Sequence, residues 1–551
     1  MIVETDLKKD ETAGEIAGRL TTRQRVLLIA LLSVAAIVYA LPMGRRPITL
    51  QDEARMALLA EDTLRHGLRL PAEVRNEPYL NKPPLFFWSV ALAARPAGHV
   101  SDRNAPIPSV VAALATLLGV FTLGRQLSGV HTGLMALVVL ATSPGFFLRS
   151  HQVLPDMMLT AWLTWALVFL LGGLGSLPPR RAHVAGFYFC MAGALWTKGL
   201  ACLWVIPAGV AAVAVTVGIR KLPSFRPVTG LGLVVLTALP WAIPYARSPG
   251  SAGSETISAG YALTTYLNHF RHHPSLPFVD GLVDFLPWAL WLVPAAVWWR
   301  LTADRQRYRP VLAWMAVFLL LLGLSVYQRA HYMLPVYPLF ALCVAASVTA
   351  AASRARSLLR IHAILIAGLA AAPIVGGGLL LGARPMLRDW VSGFVSTWPW
   401  VASLAGIVVA GPAIALWSLR VHRSPSRALS WIAATLALVF GLGTGIYSAS
   451  LAATYSIQAF AQRVRGSVEP DVPIVAYPDG SLLFDLYLDH PITEVRDRDM
   501  IARRLRSPAA DQVLLPVTDW ASLGRSADPS WCLLGEVALG SRSYVLLGPC
   551  R

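Results

Sequence analysis

The sequence predicts an all-α, polytopic membrane protein that ends in a small α/β domain outside the membrane, and three observations carry that prediction. The first is composition. Of 551 residues, 55% are hydrophobic and 14% charged, against about 25% charged in soluble domains, and the mean hydropathy is +0.56. The second is repetition: apolar stretches of about 20 residues recur along most of the chain, each long enough to cross a hydrocarbon core of about 30 Å. The third is a change of character after position 450, where the long apolar runs give way to short strand-like and helix-like segments.

The elements follow in chain order. Residues 1–24 read as a cytoplasmic N-terminus, 25–450 as a transmembrane domain and 451–551 as the outer α/β domain. The first apolar run, Val26 to Leu41, is a span with no evident cleavage site. The net charge of +17 would suggest nucleic acid in a soluble protein. Here the basic residues fall mainly in short gaps between apolar runs, where they set orientation. Placing Arg125, Arg180–Arg181, Arg220–Lys221, Arg300–Arg309, Arg354–Arg360 and Arg420–Arg427 in the cytoplasm makes the alternate gaps external. These are 43–105, 148–156, the turn at Lys198, 246–281, 327–332, 383–395 and everything after about 450; about thirteen spans satisfy the alternation.

Parity also settles the status of the run after NEPYLNKPP. A span over Leu85 to Ala94 would put both Arg125 and Arg180–Arg181 outside, so the run reads as an amphipathic helix at the external interface of loop 43–105. Pro83 and Pro84 suit the start of that helix, since the N–H groups of a first turn have no partner. Lys82 then stands at headgroup depth, either as an interfacial anchor or as a phosphate ligand.

Other polar residues collect on the same side. Thr49 and Asp52 have capping chemistry for the helix in ALLAEDTLRHG, while Asp52 and Glu53 are also an acid pair where a general base would be placed. Asp156 follows Pro155 at the mouth of a span, as a first-turn acid or a site acid. His269, His272 and His273 cluster in loop 246–281 without zinc-finger spacing, and offer a candidate divalent-metal or phosphate site beside a purely interfacial reading. Arg329, His331 and Tyr332 sit at another external mouth, and arginine suits bidentate phosphate recognition. Arg55, Lys82 and Arg329 thus lie on three segments of one face. Lys198, at a tight turn before Gly199, reads equally as an interfacial lysine.

In the tail, VPIVAYPDG, ITEV, QVLLPVTDW and CLLGEVALGSRSYVLLGPC read as strands and DRDMIARRLRS as a helix. A hairpin around Gly540–Ser541 would set Cys532 opposite Cys550, a pairing suited to an oxidising compartment. Cys190, Cys202 and Cys343 fall inside spans and read as small apolar residues.

In their order, the external DEAR, YLNKPPLFFW, Asp156 at a span mouth, WTKG, HPSLPF…LPW and the YMLP run resemble the GT-C membrane glycosyltransferases. Within that class they resemble the group that holds the lipid A 4-amino-4-deoxy-L-arabinose transferases and the bacterial protein O-mannosyltransferase-like enzymes. The resemblance spans roughly residues 20 to 350. It implies a multi-pass protein of the bacterial inner membrane with its active site and tail in the periplasm. It also implies a sugar donor on a polyprenyl phosphate such as undecaprenyl phosphate, inverting transfer to an envelope acceptor such as lipid A phosphate, and a monomer with no nucleic-acid partner. Asp52 would be the main catalytic carboxylate with Glu53 beside it, and Asp156 the second site acid. Lys82, Arg55 and Arg329 would hold the donor phosphate, and Tyr79, His273, His331 and Tyr332 would contact substrate. Two departures stand out: QRAHYMLP lacks the lysine that many aminoarabinose transferases carry there, and Asn81 stands where an acid is often found. A transfer to protein or glycan hydroxyls is the alternative within the class. A lipid-linked sugar flippase is the alternative outside it, though span interiors poor in ionisable residues argue against transport.

Overall fold

A computed structural model describes residues 19–248, 277–301, 305–324 and 330–354, and shorter stretches between 364 and 550. Helix α1 (Thr22–Ala40) starts on a reciprocal cap, in which Thr21 and Gln24 each satisfy the other's backbone N–H. After it come α2 (Gln51–His66), a two-stranded hairpin β1 (Glu73–Val74) and β2 (Glu77–Pro78), and the short α3 (Leu85–Ala94). The bundle continues with α4 (Ile107–Ser128), α5 (Val130–Ala141), α6 (Pro144–Ser150), α7 (Asp156–Leu174), α8 (Arg181–Lys198), α9 (Val205–Val217) and α10 (Pro227–Arg247). Beyond it are α11 (Pro277–Asp284), α12 (Leu292–Leu301), α13 (Arg305–Gly323), α14 (Tyr337–Arg354), α15 (Pro425–Thr454) and α16 (Ile457–Val464).

Among the described residues, six helical segments are long and apolar enough to cross a membrane, and α5 with α6, bent by 70° at their junction, would make a seventh. The protein is therefore a multi-pass membrane protein, while the expected thirteen spans are not reached within that count. Outside the count, α9 and α12 are short, α8 opens on Arg181 and closes on Lys198, α13 opens on three arginines, and most of residues 355–424 lie beyond the described residues. Close approach of the bundle helices is visible at α4 and α5, where a Cβ on Gly133 would lie 2.4 Å from the Phe121 carbonyl oxygen, so only glycine fits.

Helix α3 forms after Pro83–Pro84 and is too short to span, as expected. It is not amphipathic: Phe86, Phe87, Val90, Ala91 and Ala94 are buried against its neighbours while Leu92 is exposed, so the helix is inserted among α2, α4 and α8 rather than laid on a surface.

Near the C-terminus, β3 (Ile474–Ala476), β4 (Ile492–Glu494), β5 (Gln512–Pro516), β6 (Trp531–Leu539) and β7 (Arg542–Pro549) make a five-stranded mixed sheet of order β4-β3-β5-β7-β6. Helices α17 (Leu482–Leu488), α18 (Arg498–Arg506, capped by Asp497) and α19 (Val517–Leu523) connect them. Each expected strand region contains a strand, but QVLLPVTDW is one only to Pro516, and VTDW turns into α19. Period-2 alternation divides the sheet into two faces. Ile474, Ala476, Leu514 and Leu546 pack with α16, α17 and segment 43–105, and Val475, Val513, Leu515 and Leu547 pack under α18 and α19. Cys532 and Cys550 are disulfide-bonded across β6 and β7.

The sheet region is fastened to segment 43–105 by polar contacts. Arg75 and Asn76 form the β1–β2 turn with φ of 56° and 61°, the left-handed pair that a two-residue hairpin requires. That turn carries the Arg75 guanidinium to Asp485 and Glu494. Tyr487 donates to Asp102 (2.7 Å) and accepts from the Ile48 N–H (2.8 Å), and Gln51 accepts from the Leu482 N–H at 3.1 Å.

Candidate active site

The site begins in the first turn of α2. Leu50 is its N-cap and has no side-chain acceptor, so the capping role expected of Thr49 or Asp52 falls elsewhere. Glu53 takes it, accepting weakly from the Leu50 and Thr49 N–H groups. Glu53 is also fully buried, held by Arg46 through two bonds of 2.9 and 2.8 Å, and accepts the Val153 N–H at 2.9 Å. A carboxylate with this many donors is committed to structure: it joins segment 43–105 to the segment before α7. Asp52, next door, points the other way. Its side chain is 40% exposed and accepts a hydrogen bond of 2.8 Å from Arg55. One N–H of that guanidinium is used, leaving further donors for an anion.

The Lys82 segment is positioned from three sides. Its backbone carbonyl accepts the Tyr245 hydroxyl of α10 at 3.0 Å. Trp88 of α3 meets Trp196 of α8 with centroids 6.0 Å apart. Gly199, at φ +64°, turns the chain sharply after α8 in a conformation that disfavours a side chain, and its Cα faces the Pro83 ring. Tyr79 is half-buried and lies within electrostatic reach of Tyr245.

At the far side of this turn Lys198 reaches Asp156, the first residue of α7, in an ion pair of 2.5 Å with both side chains nearly buried. The same ammonium sits 4.2 Å from the centre of the Tyr332 ring, and His331 packs edge-on against Tyr332. Lys198, His331 and Lys82 all lie within electrostatic reach of Asp156. One carboxylate and three basic side chains from four segments therefore share one neighbourhood.

Outside the spans, His151 is buried between α6 and α7. Desolvation, then the Arg46 charge, pushes its pKa from 6.5 down to about 3, so the imidazole is neutral. Burial likewise raises the Asp102 carboxyl, opposed by the bonds from Tyr487 and Ile48.

Asp156, Lys198, Tyr332 and His331 meet directly, Glu53 ties the start of α2 to the segment before α7 through Val153, and Asp52, Arg55, Tyr79 and Lys82 lie between α1 and α4. Arg329, His269, His272 and His273 lie outside the described residues. Among the described residues, no three His, Cys, Asp or Glu side chains gather as metal ligands would. Sequence reasoning gave too little weight to Lys198, although WTKG carried it, and passed over Arg46 and Tyr245, whose partners are distant in the chain.

The family described as dolichyl-phosphate-mannose-protein mannosyltransferase matches residues 81–243, which include Lys82, Asp156 and Lys198. An undecaprenyl phosphate-α-4-amino-4-deoxy-L-arabinose arabinosyl transferase of Pectobacterium carotovorum is 26% identical over 361 residues, which is 63% of each chain. The corresponding enzyme of Pectobacterium atrosepticum is 27% identical over 358 residues, 63% of this chain and 62% of its own. The chain thus matches somewhat under two thirds of the length of these relatives. Among solved structures, ArnT from Cupriavidus metallidurans bound to undecaprenyl phosphate superposes with a TM-score of 0.75 at 17% identity, over 94% of this chain and 97% of that one. The archaeal oligosaccharyltransferase AglB of Archaeoglobus fulgidus has a TM-score of 0.53 at 10% identity, over 92% and 72%.

Proposed function

We propose, from the premise that the chain is a GT-C-class membrane protein similar to the aminoarabinose and protein-mannosyl transferases, that it is an inverting glycosyltransferase. Its donor is a sugar carried on undecaprenyl or another polyprenyl phosphate, and its acceptor is an envelope glycolipid, most simply a phosphate of lipid A. The reaction runs on the periplasmic face of the bacterial inner membrane, with residues 1–24 in the cytoplasm, 25–450 as the catalytic membrane domain and 451–551 as a periplasmic domain. The observation that carries the reading is the cluster of Asp156, Lys198, His331 and Lys82 at the helix ends of one rim. The Cys532–Cys550 disulfide supports an oxidising compartment for that side.

In this reading an acceptor oxygen attacks the sugar C1 while the C1–O bond to the carrier phosphate breaks, and the electron pair leaves with the phosphate. Negative charge grows on that phosphate, so fixed cations beside it lower the barrier. Lys82, with Arg55 and Arg329, does this work. Asp52 is the exposed carboxylate that meets substrate, and Glu53 is a positioning residue that fixes the turn carrying it. A phosphate acceptor is already anionic, so Asp52 then orients it; a hydroxyl acceptor requires Asp52 as general base, worth about 10²–10⁴-fold. Asp156 and Lys198, with Tyr332, His331 and Tyr79, line the sugar side; His273 joins them, and a divalent metal at His269, His272 and His273 is a separate element of the proposal. The match of residues 81–243 to the protein mannosyltransferase family favours a hydroxyl acceptor as the second reading.

The purified protein, given a polyprenyl-phosphate sugar and lipid A, is expected to transfer sugar, while Asp52→Asn and Lys82→Ala fall by at least about 10²-fold with normal membrane insertion. Full turnover in both variants would reject the site.

A further inference from the structure

Between the first outer segment and the C-terminal sheet region lies a cavity of about 280 Å³ that the reaction described above does not use. Helix α2 forms one wall with Leu58, Glu61 and Arg65, α16 a second with Gln458 and Gln462, and the turn through His99 and the Tyr487 end of α17 close it. A second cavity of about 290 Å³ shares Leu58, Glu61, Arg65 and Asp485 with it. Helix α16 follows α15, and His99 to Asp102 lead into α4, so the cleft opens where two membrane-crossing helices reach the rim.

Its chemistry is specific. The carboxylates are already answered: Glu61 accepts from Arg65 (2.8 Å) and the Val100 N–H (2.7 Å), Asp102 from Tyr487 and Ile48, and Asp485 from Arg75. The cleft therefore has no net demand for a counter-ion, which disfavours a free phosphate. Gln458 and Gln462 stand one helical turn apart, so their carboxamides point from the same face of α16 into the cleft, and both residues are exposed. Two carboxamides and an imidazole supply donors and acceptors side by side, next to the Arg65 guanidinium that pairs with Glu61, with Leu58, Val100, Ala461 and Leu486 as apolar floor. That combination matches a neutral, hydroxyl-rich ring with polar edges and a C–H face. Glu61 is nine residues beyond Asp52 on α2, half a turn round and about 13 Å along the axis. A ligand here cannot present the reacting atom.

We infer that the cleft between α2 and α16 is a saccharide-binding subsite that grips a part of the acceptor's glycan remote from the accepting group. This rests on the glycosyltransferase reading above. The test uses the purified full chain and the deacylated, water-soluble saccharide of lipid A, titrated calorimetrically. The wild-type protein is expected to bind it, and the Gln458→Ala/Gln462→Ala variant to bind at least about tenfold more weakly. Alanine keeps the helix, and unchanged affinity for undecaprenyl phosphate serves as the folding control. Absence of binding by wild type, or equal binding by the variant, overturns the subsite. If saccharide binding is lost in the variant but wild type transfers no sugar from a polyprenyl-phosphate donor, the subsite stands and the glycosyltransferase reading fails.

Discussion

Adjacent carboxylates at 52 and 53 do different work because successive helical side chains point about 100° apart. Arg46 draws one inward, and the other is left at 40% exposure. That division is not legible in the letters DEAR, since it depends on a guanidinium from the preceding turn. Lys82 and Asp156 were legible, as charged residues at the edges of apolar runs; Lys198 was less so because its carboxylate partner is 42 positions away. Lys198→Met leaves a nearly buried Asp156 without its counter-ion, and thermal stability is expected to drop by about 3–5 kcal/mol. Adding Asp156→Asn should restore much of that stability. Transfer should stay at least about 10²-fold down in the double variant, a split that a melting curve and a turnover assay on the same samples resolve. His151 makes a pH prediction. Its folded pKa of about 3 lies below the unfolded value near 6.5, so the unfolded chain binds the extra proton first on acidification. Its contribution is complete above pH 6.5 and declines as pH falls toward 3, by about 2 kcal/mol at about pH 5. His151→Gln should flatten the fall in melting temperature between about pH 7.5 and 5.

At the scale of elements, helix starts and strands were written locally. Pro84 begins α3, Asp497 caps α18, and the alternation in β5 and β7 sorts their side chains between two faces. What local pattern did not carry was the end of β5, where Pro516 stops the ladder and VTDW coils into a helix over β7. Nor did it carry the surroundings of α3, whose burial is decided by α2, α4 and α8. The β6–β7 hairpin is closed by Cys532 and Cys550, 18 positions apart. Serine at both positions frees that loop in the unfolded chain and should destabilise the sheet region by about 3 kcal/mol. Hydrogen exchange in β6 and β7 should accelerate while exchange in α4 and α7 does not.

The whole molecule is organised around one rim, and the sheet region belongs to it through contacts that span hundreds of positions. Arg75 and Asp485 are 410 residues apart, so no reading of local composition could pair them. Arg75→Ala leaves the Asp485 carboxylate, 7% exposed, without its cation, and should weaken docking by about 3 kcal/mol or more. Limited proteolysis is the readout: the sheet region should be released faster than in the wild-type protein. The side of the membrane on which the rim faces is open to a direct check, since a cysteine at Asn76 should react with an impermeant maleimide from the periplasm. The Glu53 to Val153 stitch has a mechanical corollary. With Arg46 it rivets together the two segments that bear Asp52 and Asp156, so the gap between those acids is a calibrated jaw whose setting belongs to the fold itself.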